Sequence, residues 1–404
     1  MENKLVPKIR FSEFTNDWEQ RKLGEISNKI VEKNKNNLFS ETLTNSAEYG
    51  IITQRDFFDK DISNEINLDG YYVVHENDFV YNPRISNFAP VGPIKRNKLS
   101  RTGIMSPLYY VFRTHSINKS YLEYFFDSTG WHSFMKLNGD SGARADRFAI
   151  KDSVFREMPI PFPNLDEQIK IGKFFEKLSN LITLHQRKLD MLKKMKRAYL
   201  QQMFPKSGES VPRLRFAGFE GEWEQRKLGD VTNIYDGTHQ TPDYKNKGIM
   251  FLSVENIKTL QSEKYISEEA FINEFKVHPE NGDVLMTRIG DIGTANVIES
   301  DEPIAYYVSL ALLKKRKLNP YFLQSSIHSP SMKNEIWKRT LHIAFPKKIN
   351  KNEIANLPIR VPNKEEQAKI GIFFKQLEDN ITLNQTKLDK LTLLKKTYLQ
   401  KMFM

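Results

Sequence analysis

Apolar residues recur at alternating spacings of three and four in the middle of the chain: Ile171, Phe175, Leu178 and Ile182, then Leu189 and Leu192, then Tyr199 and Met203. The same seam returns at Ile370, Phe374, Leu377, Ile381, Leu388, Leu391, Tyr398 and Met402. Spacing of this kind predicts two long amphipathic helices with coiled-coil seams, which in one chain most simply pack on each other antiparallel. His185 interrupts one seam and Asn384 the other, each near its helix midpoint. They either meet and fix the register or lean to solvent. Asn164 and Asn363 are suited to cap the two helix starts, and Glu167 and Glu366 at the third helical position complete capping boxes. Pro161, Pro163, Pro358 and Pro362 keep the approach extended, and the first helix should end at Phe204, before Pro205. About 39 residues of helix would be roughly 59 Å long.

Elsewhere the pattern is short and mixed. Strand-like runs at 78–81 and 283–287 occupy matching places, as do 108–112 and 308–313. Amphipathic helical stretches follow at 120–126 and 320–327, and residues 150–160 match 349–359. The predicted fold class is α+β: two globular modules, related by a pseudo-twofold axis, joined by two long antiparallel helices that form an intramolecular coiled coil.

Those correspondences reflect a repeat. Residues 7–26 align without a gap on 212–231, with eleven of twenty positions identical, including WEQRKLG in both. Residues 160–204 align on 359–403 with more than half identical, while the segments between, 27–159 and 232–358, diverge. A fixed frame with variable bodies suits a scaffold that presents two different readers. The predicted domains are residues 1–163, the helix 164–204, residues 205–362, and the helix 363–404.

Net charge is +11, but it is unevenly placed: +1 over 1–163 and +2 over 205–362, against +5 over 164–204 and +3 over 363–404. The surplus on the long segments points to an acidic partner such as nucleic acid, or simply to solvated helical faces. No cysteine is present, which excludes disulfides and thiol nucleophiles and agrees with a cytoplasmic location. No apolar run reaches the roughly eighteen residues of a membrane span, and the first residues lack the core of a signal peptide.

Searches for catalysis are negative. The sequence has no GxxxxGK[ST] phosphate loop, no HExxH and no nucleophile elbow. Asn82-Pro83-Arg84-Ile85 lacks the second Pro and the aromatic of an amino-methyltransferase motif. The loops instead carry chemistry of the kind suited to DNA contact. In the second body these are Thr238, His239, Gln240 and Thr241 in DGTHQTP, Arg288 in TRIGDIG, then Arg339, His342, Lys347 and Lys348. In the first body they are Asn82, Arg84, Ser86 and Asn87, with Arg144 and Arg147 in a second basic loop. Arg and Lys suit guanine edges and phosphates, and Asn and Gln suit adenine. Any one of them alone reads as ordinary surface. Trp18 and Trp223, in the repeated leader, read as core anchors rather than base-stacking residues.

Taken in order and in two copies, the WEQRKLG leader, DGTHQTP, GDVLMTRIGDIG, ENDFVYNPR, and the tails PNLDEQIKIGKFFEKL and PNKEEQAKIGIFFKQL resemble the specificity subunits of type I restriction-modification systems. The resemblance covers nearly the whole chain. It implies that the divergent bodies are target recognition domains, each reading one half of a split asymmetric site in double-stranded DNA, with the paired helices as spacer. It implies two modification subunits, which bring S-adenosylmethionine and methylate adenine N6, and restriction subunits, which bring ATP, Mg and translocation. No cofactor and no metal would then belong to this chain, no membrane would be involved, and the chain would not be an enzyme on its own. The first body departs from the pattern, since EISNKIVEKNKNN stands where DGTHQTP would be expected. Two other readings are a stand-alone pseudo-dimeric DNA-binding regulator, against which the near-neutral bodies argue, and a coiled-coil scaffold for protein partners.

Overall fold

A computed structural model of the chain describes residues 6–58, 68–141 and 146–403. Its contacts form two compact units, Met1–His185 with Lys387–Met404, and Gln186–Thr386. Each therefore holds one body together with parts of both long helices, Leu165–Gln202 and Lys364–Met402.

The repeated leader is a strand that ties the start of each body to its end. Glu19–Lys22 pairs antiparallel with Pro159–Phe162, and Glu224–Lys227 with Pro358–Val361 in the same register. Each body then builds one four-stranded antiparallel sheet. Its order is Ser27–Lys29, Tyr110–Thr114, Phe79–Tyr81, Ile94–Arg96 in the first unit. In the second it is Asn233–Asp236, Leu310–Lys314, Val284–Thr287, Ala295–Val297. The helices Lys119–Asp127 and Pro320–His328 follow the second strand of each order. The bodies differ in what is added. The first has two separate hairpin-like pairs, whereas the second has a three-stranded sheet in which Ile249–Leu252 runs parallel to Ile304–Tyr306.

A buried aromatic cluster shows how the long helices enter each unit. In the first, Tyr121 packs edge-on to Trp18 at 6.3 Å and against Phe403 at 5.4 Å, and Phe403 stacks on Phe175 at 5.9 Å. In the second, Trp223, Phe322, Phe374 and Phe204 take the equivalent places, with ring separations of 5.7 to 5.9 Å. One unit's cluster is thus closed by the end of the second long helix and the other's by the end of the first. Antiparallel pairing is visible inside the second unit, where Lys193 reaches Gln385, Lys196 pairs with Glu378, and Tyr199 lies edge-on to Phe373. Leu178, Leu189, Leu377, Ile381 and Leu388 are buried, and Ile182, Leu192, Leu391 and His185 are half-buried. Asn384 is also buried, its amide donating to the Asn380 carbonyl.

The capping boxes form only in part. Asn164 and Asn363 accept from the backbone N–H of Glu167 and Glu366, each at 2.9 Å. The two glutamates do not turn back to their caps, because arginines from the leaders claim them. Arg10 holds Glu167 through two bonds of 2.7 Å, and Arg215 holds Glu366 at 2.6 and 2.8 Å. Both carboxylates are fully buried, so a bidentate guanidinium offsets a desolvation cost that a backbone N–H alone would not. The neighbouring Gln168 and Gln367 accept from the backbone N–H of Asn118 and Asn319, fixing the body helix to the long one. Gly172 and Gly371 let those helices approach: a Cβ on Gly371 would stand 2.3 Å from Asn319 Oδ1. Trp18 and Trp223 are both buried in the core.

Candidate nucleic-acid interface

In the second unit, Asn233–Asp236 and Val284–Thr287 both run antiparallel to Leu310–Lys314 and end at the same edge, with Asp236 opposite Ala311 and Thr287 opposite Leu310. The loops that leave them, 237–241 and 288–293, are therefore neighbours. A third loop joins them after the helix Pro330–Arg339. Lys348 bridges Ile289 and Leu341, and the Gly290 N–H donates to the Lys347 carbonyl at 2.9 Å. Gly290 and Gly293 carry φ of 81° and 88°, which lets the 288–293 turn fold back so that Gly293 N–H reaches the Thr287 carbonyl at 3.0 Å.

Within this cluster, His239, Gln240, Thr241, His342, Lys347 and Lys348 are exposed. Thr238 is half-buried and organises its own turn: its hydroxyl donates to Glu274 at 3.3 Å and accepts from the Gln240 N–H at 3.3 Å. Gly237 makes that turn possible, since a Cβ there would meet the Tyr306 carbonyl at 2.4 Å. Two expected contacts are corrected. Arg288 is only 7% exposed; its guanidinium pairs with Asp236 and donates to the Ile349 carbonyl at 3.2 Å. It binds the strand ends together and offers no fork to a base. Arg339 is half-buried and bonded to Glu335, with Glu353 at 3.9 Å, so its charge is already balanced.

Beside these loops lies a cleft of about 850 Å³, open to solvent, walled by the 290–294 turn, the helix Pro330–Arg339 and a face of the long helices. Lys193, Lys196, Arg197, Lys333 and Lys347 line it against two carboxylates, Asp291 and Glu378. His328 borders it with Nε2 accepting from the Ala295 N–H at 3.0 Å, a bond that requires the neutral ring. Burial, and then the charges of Lys196 and Lys333, push its pKa down to about 3, so the imidazole adds no charge to the cleft at neutral pH. Of these cations only Lys347 was singled out individually from the sequence. For Lys193, Lys196 and Arg197 the signal is the +5 surplus of residues 164–204, which marks a segment and not a face, and Lys333 lies outside that segment.

The first unit uses the equivalent edge differently. Phe79–Tyr81 leads into a loop that pairs with the segment before Phe148: Arg84 bridges Arg147, Ile85 N–H donates to the Asp146 carbonyl at 2.9 Å, and Phe148 N–H to the Pro83 carbonyl at 2.7 Å. Both arginines are exposed and adjacent along that bridge. Asn82 is half-buried and helps shape the loop: its amide donates to the Asn45 carbonyl at 2.8 Å and accepts from Arg84 N–H at 3.0 Å. Ser86 closes a tight turn with Ala89, leaving Asn87 exposed on it. Arg144 lies outside the described residues. A cleft of about 610 Å³ sits at this edge, floored by Tyr81, Tyr110, Phe148 and Phe155 and far less cationic than the other.

Among the described residues no helix is long and apolar enough to cross a membrane, and no group of three or more His, Asp or Glu could hold a metal ion.

Comparison with known proteins agrees with this architecture. The family model described as the type I restriction modification DNA specificity domain matches twice, over residues 15–194 and 220–393. The MjaVIII type I restriction enzyme specificity subunit of Methanocaldococcus jannaschii is 24% identical over 94% of this chain and 90% of its own length. Its MjaIX counterpart from the same organism is 24% identical over 45% of this chain and 41% of its own. The crystal structure of the S subunit of a type I restriction-modification system from M. genitalium superposes with a TM-score of 0.66 at 14% identity, covering 99% of both chains. A chain from a study of complex assembly and conformational transition in the type I system gives 0.51 at 17% identity, over 97% and 98%.

Proposed function

Because the chain belongs to the type I restriction-modification DNA specificity family, we propose that its two loop-bearing sheet edges each read one half of a split, asymmetric DNA site on behalf of partner modification and restriction subunits. The observation that carries this reading is the repetition of the frame without repetition of the loops. The same strand pairing and Arg–Glu lock recur in both units. Yet one edge offers His239, Gln240, Thr241, Lys347 and Lys348, and the other Arg84, Asn87 and Arg147. Two readers of different chemistry select two different half-sites.

The chemistry divides in a simple way. Lys193, Arg197, Lys333 and the Lys347–Lys348 pair neutralise phosphates, which fixes position with no regard to sequence. Exposed amide, imidazole and hydroxyl groups on the 239–241 turn present donors and acceptors to base edges, worth roughly 1–3 kcal/mol for each correct pair. Methyl transfer to adenine N6, with S-adenosylmethionine, belongs in this reading to two modification subunits, and ATP-driven translocation with Mg to restriction subunits. The long helices would set the spacer between half-sites.

The test is to map N6-methyladenine across the genome of cells that carry this gene with its cognate modification subunit, and of the same cells with the gene deleted. A split asymmetric motif that disappears on deletion is the expected result. Unchanged methylation, together with failure of the purified complex to bind DNA, would overturn the reading.

A further inference from the structure

We propose that Phe345, with Ile343 beside it, is an apolar wedge that the second unit inserts between base pairs of its DNA half-site. This rests on the DNA-reading function above. Ile343 and Phe345 are 99% and 103% exposed, as open as free residues, and Trp337 and Leu341 nearby are 64% and 40% exposed. A soluble surface does not ordinarily hold four large apolar side chains in nine residues at such exposure.

The loop that carries them is pinned at its base. Leu341 N–H donates to the Lys348 carbonyl at 2.8 Å, Lys348 bridges Ile289, and His342 lies against Trp337 with ring centroids 4.8 Å apart and its Nε2 2.9 Å from the Trp337 carbonyl. The tip is therefore presented by a fixed stem, next to the turns that carry the candidate base contacts.

Charge selects the occupant. No carboxylate occurs between Thr340 and Ile349, while His342, Lys347 and Lys348 flank the tip, and Lys333 and Arg197 line the adjoining cleft, whose two carboxylates are Asp291, bonded by the Thr294 hydroxyl, and Glu378, paired with Lys196. The nearest acid on the preceding helix, Glu335, is bonded to Lys338 and Arg339. Apolar side chains beside the Lys347–Lys348 pair fit a partner with an anionic rim and an apolar interior, and a base-pair step between two phosphate backbones has that form. Insertion would partly unstack one step and kink the duplex there.

The experiment uses the full chain assembled with its modification subunits, and duplexes bearing the methylated motif. 2-Aminopurine is placed in turn at each position of the second unit's half-site except the target adenine. Native complex should raise its fluorescence at one step. Phe345→Ala should abolish that rise and weaken binding about tenfold, Phe345→Leu should keep part of it, and Lys347→Ala should flatten the salt dependence while the rise persists. Site-specific binding with no rise at any position overturns the wedge and leaves the DNA reading intact. Loss of modification subunits from the Phe345→Ala complex also overturns it, because the loop would then be a protein-docking surface. A native complex that binds no duplex defeats the underlying reading itself.

Discussion

Arg10 closes on Glu167 in one unit and Arg215 on Glu366 in the other, yet the sites around the two carboxylates are not equal. In the first, Trp18 adds a third donor, its Nε1 reaching Glu167 at 3.2 Å. In the second, Trp223 Nε1 is buried with no acceptor among the described residues, and Arg215 instead spends a further N–H on the Gly221 carbonyl at 2.7 Å. The ion pair is held fixed while its surroundings drift, which identifies the pair as the part of the repeat that each unit needs. Glu167→Ala or Glu366→Ala should accordingly be the most damaging change, since each strands an arginine in the interior, at about 3–5 kcal/mol. Hydrogen exchange resolved by peptide would measure it. Protection should fall in the sheet of the altered unit and hold in the other; equal loss in both would show that the units do not unfold separately.

The glycines sharpen the same comparison. A Cβ at Gly172 would meet Ser120, Asn118 and Tyr121 at 3.0 to 3.2 Å, whereas at Gly371 it would lie 2.3 Å from the Asn319 side chain that caps the helix Pro320–His328. Alanine gains about 1 kcal/mol over glycine in a helix interior, enough to offset the smaller clash. Gly371→Ala is expected to cost about 2 kcal/mol net and Gly172→Ala less than about 1 kcal/mol, both read from unfolding in urea. Equal effects would mean that the cap moves aside freely.

Much of this frame is legible in the sequence. Alternation and matching positions place strands at 78–81 and 283–287, and they form at Phe79–Tyr81 and Val284–Thr287. The long helices follow directly from their apolar period, and WEQRKLG from its exact repetition. What resists reading is choice among partners distant in the chain. An Asn-x-x-Glu pattern satisfies a capping box as well as an Arg–Glu lock, and Arg10 lies 157 residues from Glu167. The hint was present, because Arg10 and Arg215 are among the identities of the repeated leader. Arg288 looked free because Asp236 stands 52 residues away on another strand. Lys193 and Arg197 looked like any solvated helix face, since only the folded unit sets them against Lys333 and Lys347 across one cleft.

The two loop edges differ in charge, and that difference is measurable without knowing the recognised sequence. Replacing both Lys347 and Lys348 by alanine should lower the slope of log affinity against log salt by about 2 and weaken all duplexes to a similar extent. Arg84→Ala with Arg147→Ala should do the same if those exposed arginines touch phosphate. If they read bases, their loss will relax sequence preference in one half-site and leave the slope nearly unchanged. The comparison thus assigns a role to each edge.

A last contrast isolates the tryptophan bond, which only the first lock has. Trp18→Phe and Trp223→Phe remove the same ring volume from equivalent buried aromatic clusters, so the packing loss should be common to both. Only Trp18→Phe also deletes a hydrogen bond to a carboxylate, whereas Trp223→Phe removes a buried N–H that has no acceptor among the described residues. A bond to a charged acceptor contributes about 1.5–3 kcal/mol, and leaving a buried donor unsatisfied carries a cost that vanishes with the donor. Trp18→Phe should therefore be the more destabilising by about 1 kcal/mol or more, and measuring the two side by side cancels the packing term. Equal losses would mean that Arg10 alone satisfies Glu167, and that the tryptophan of the repeated leader serves both units only as volume.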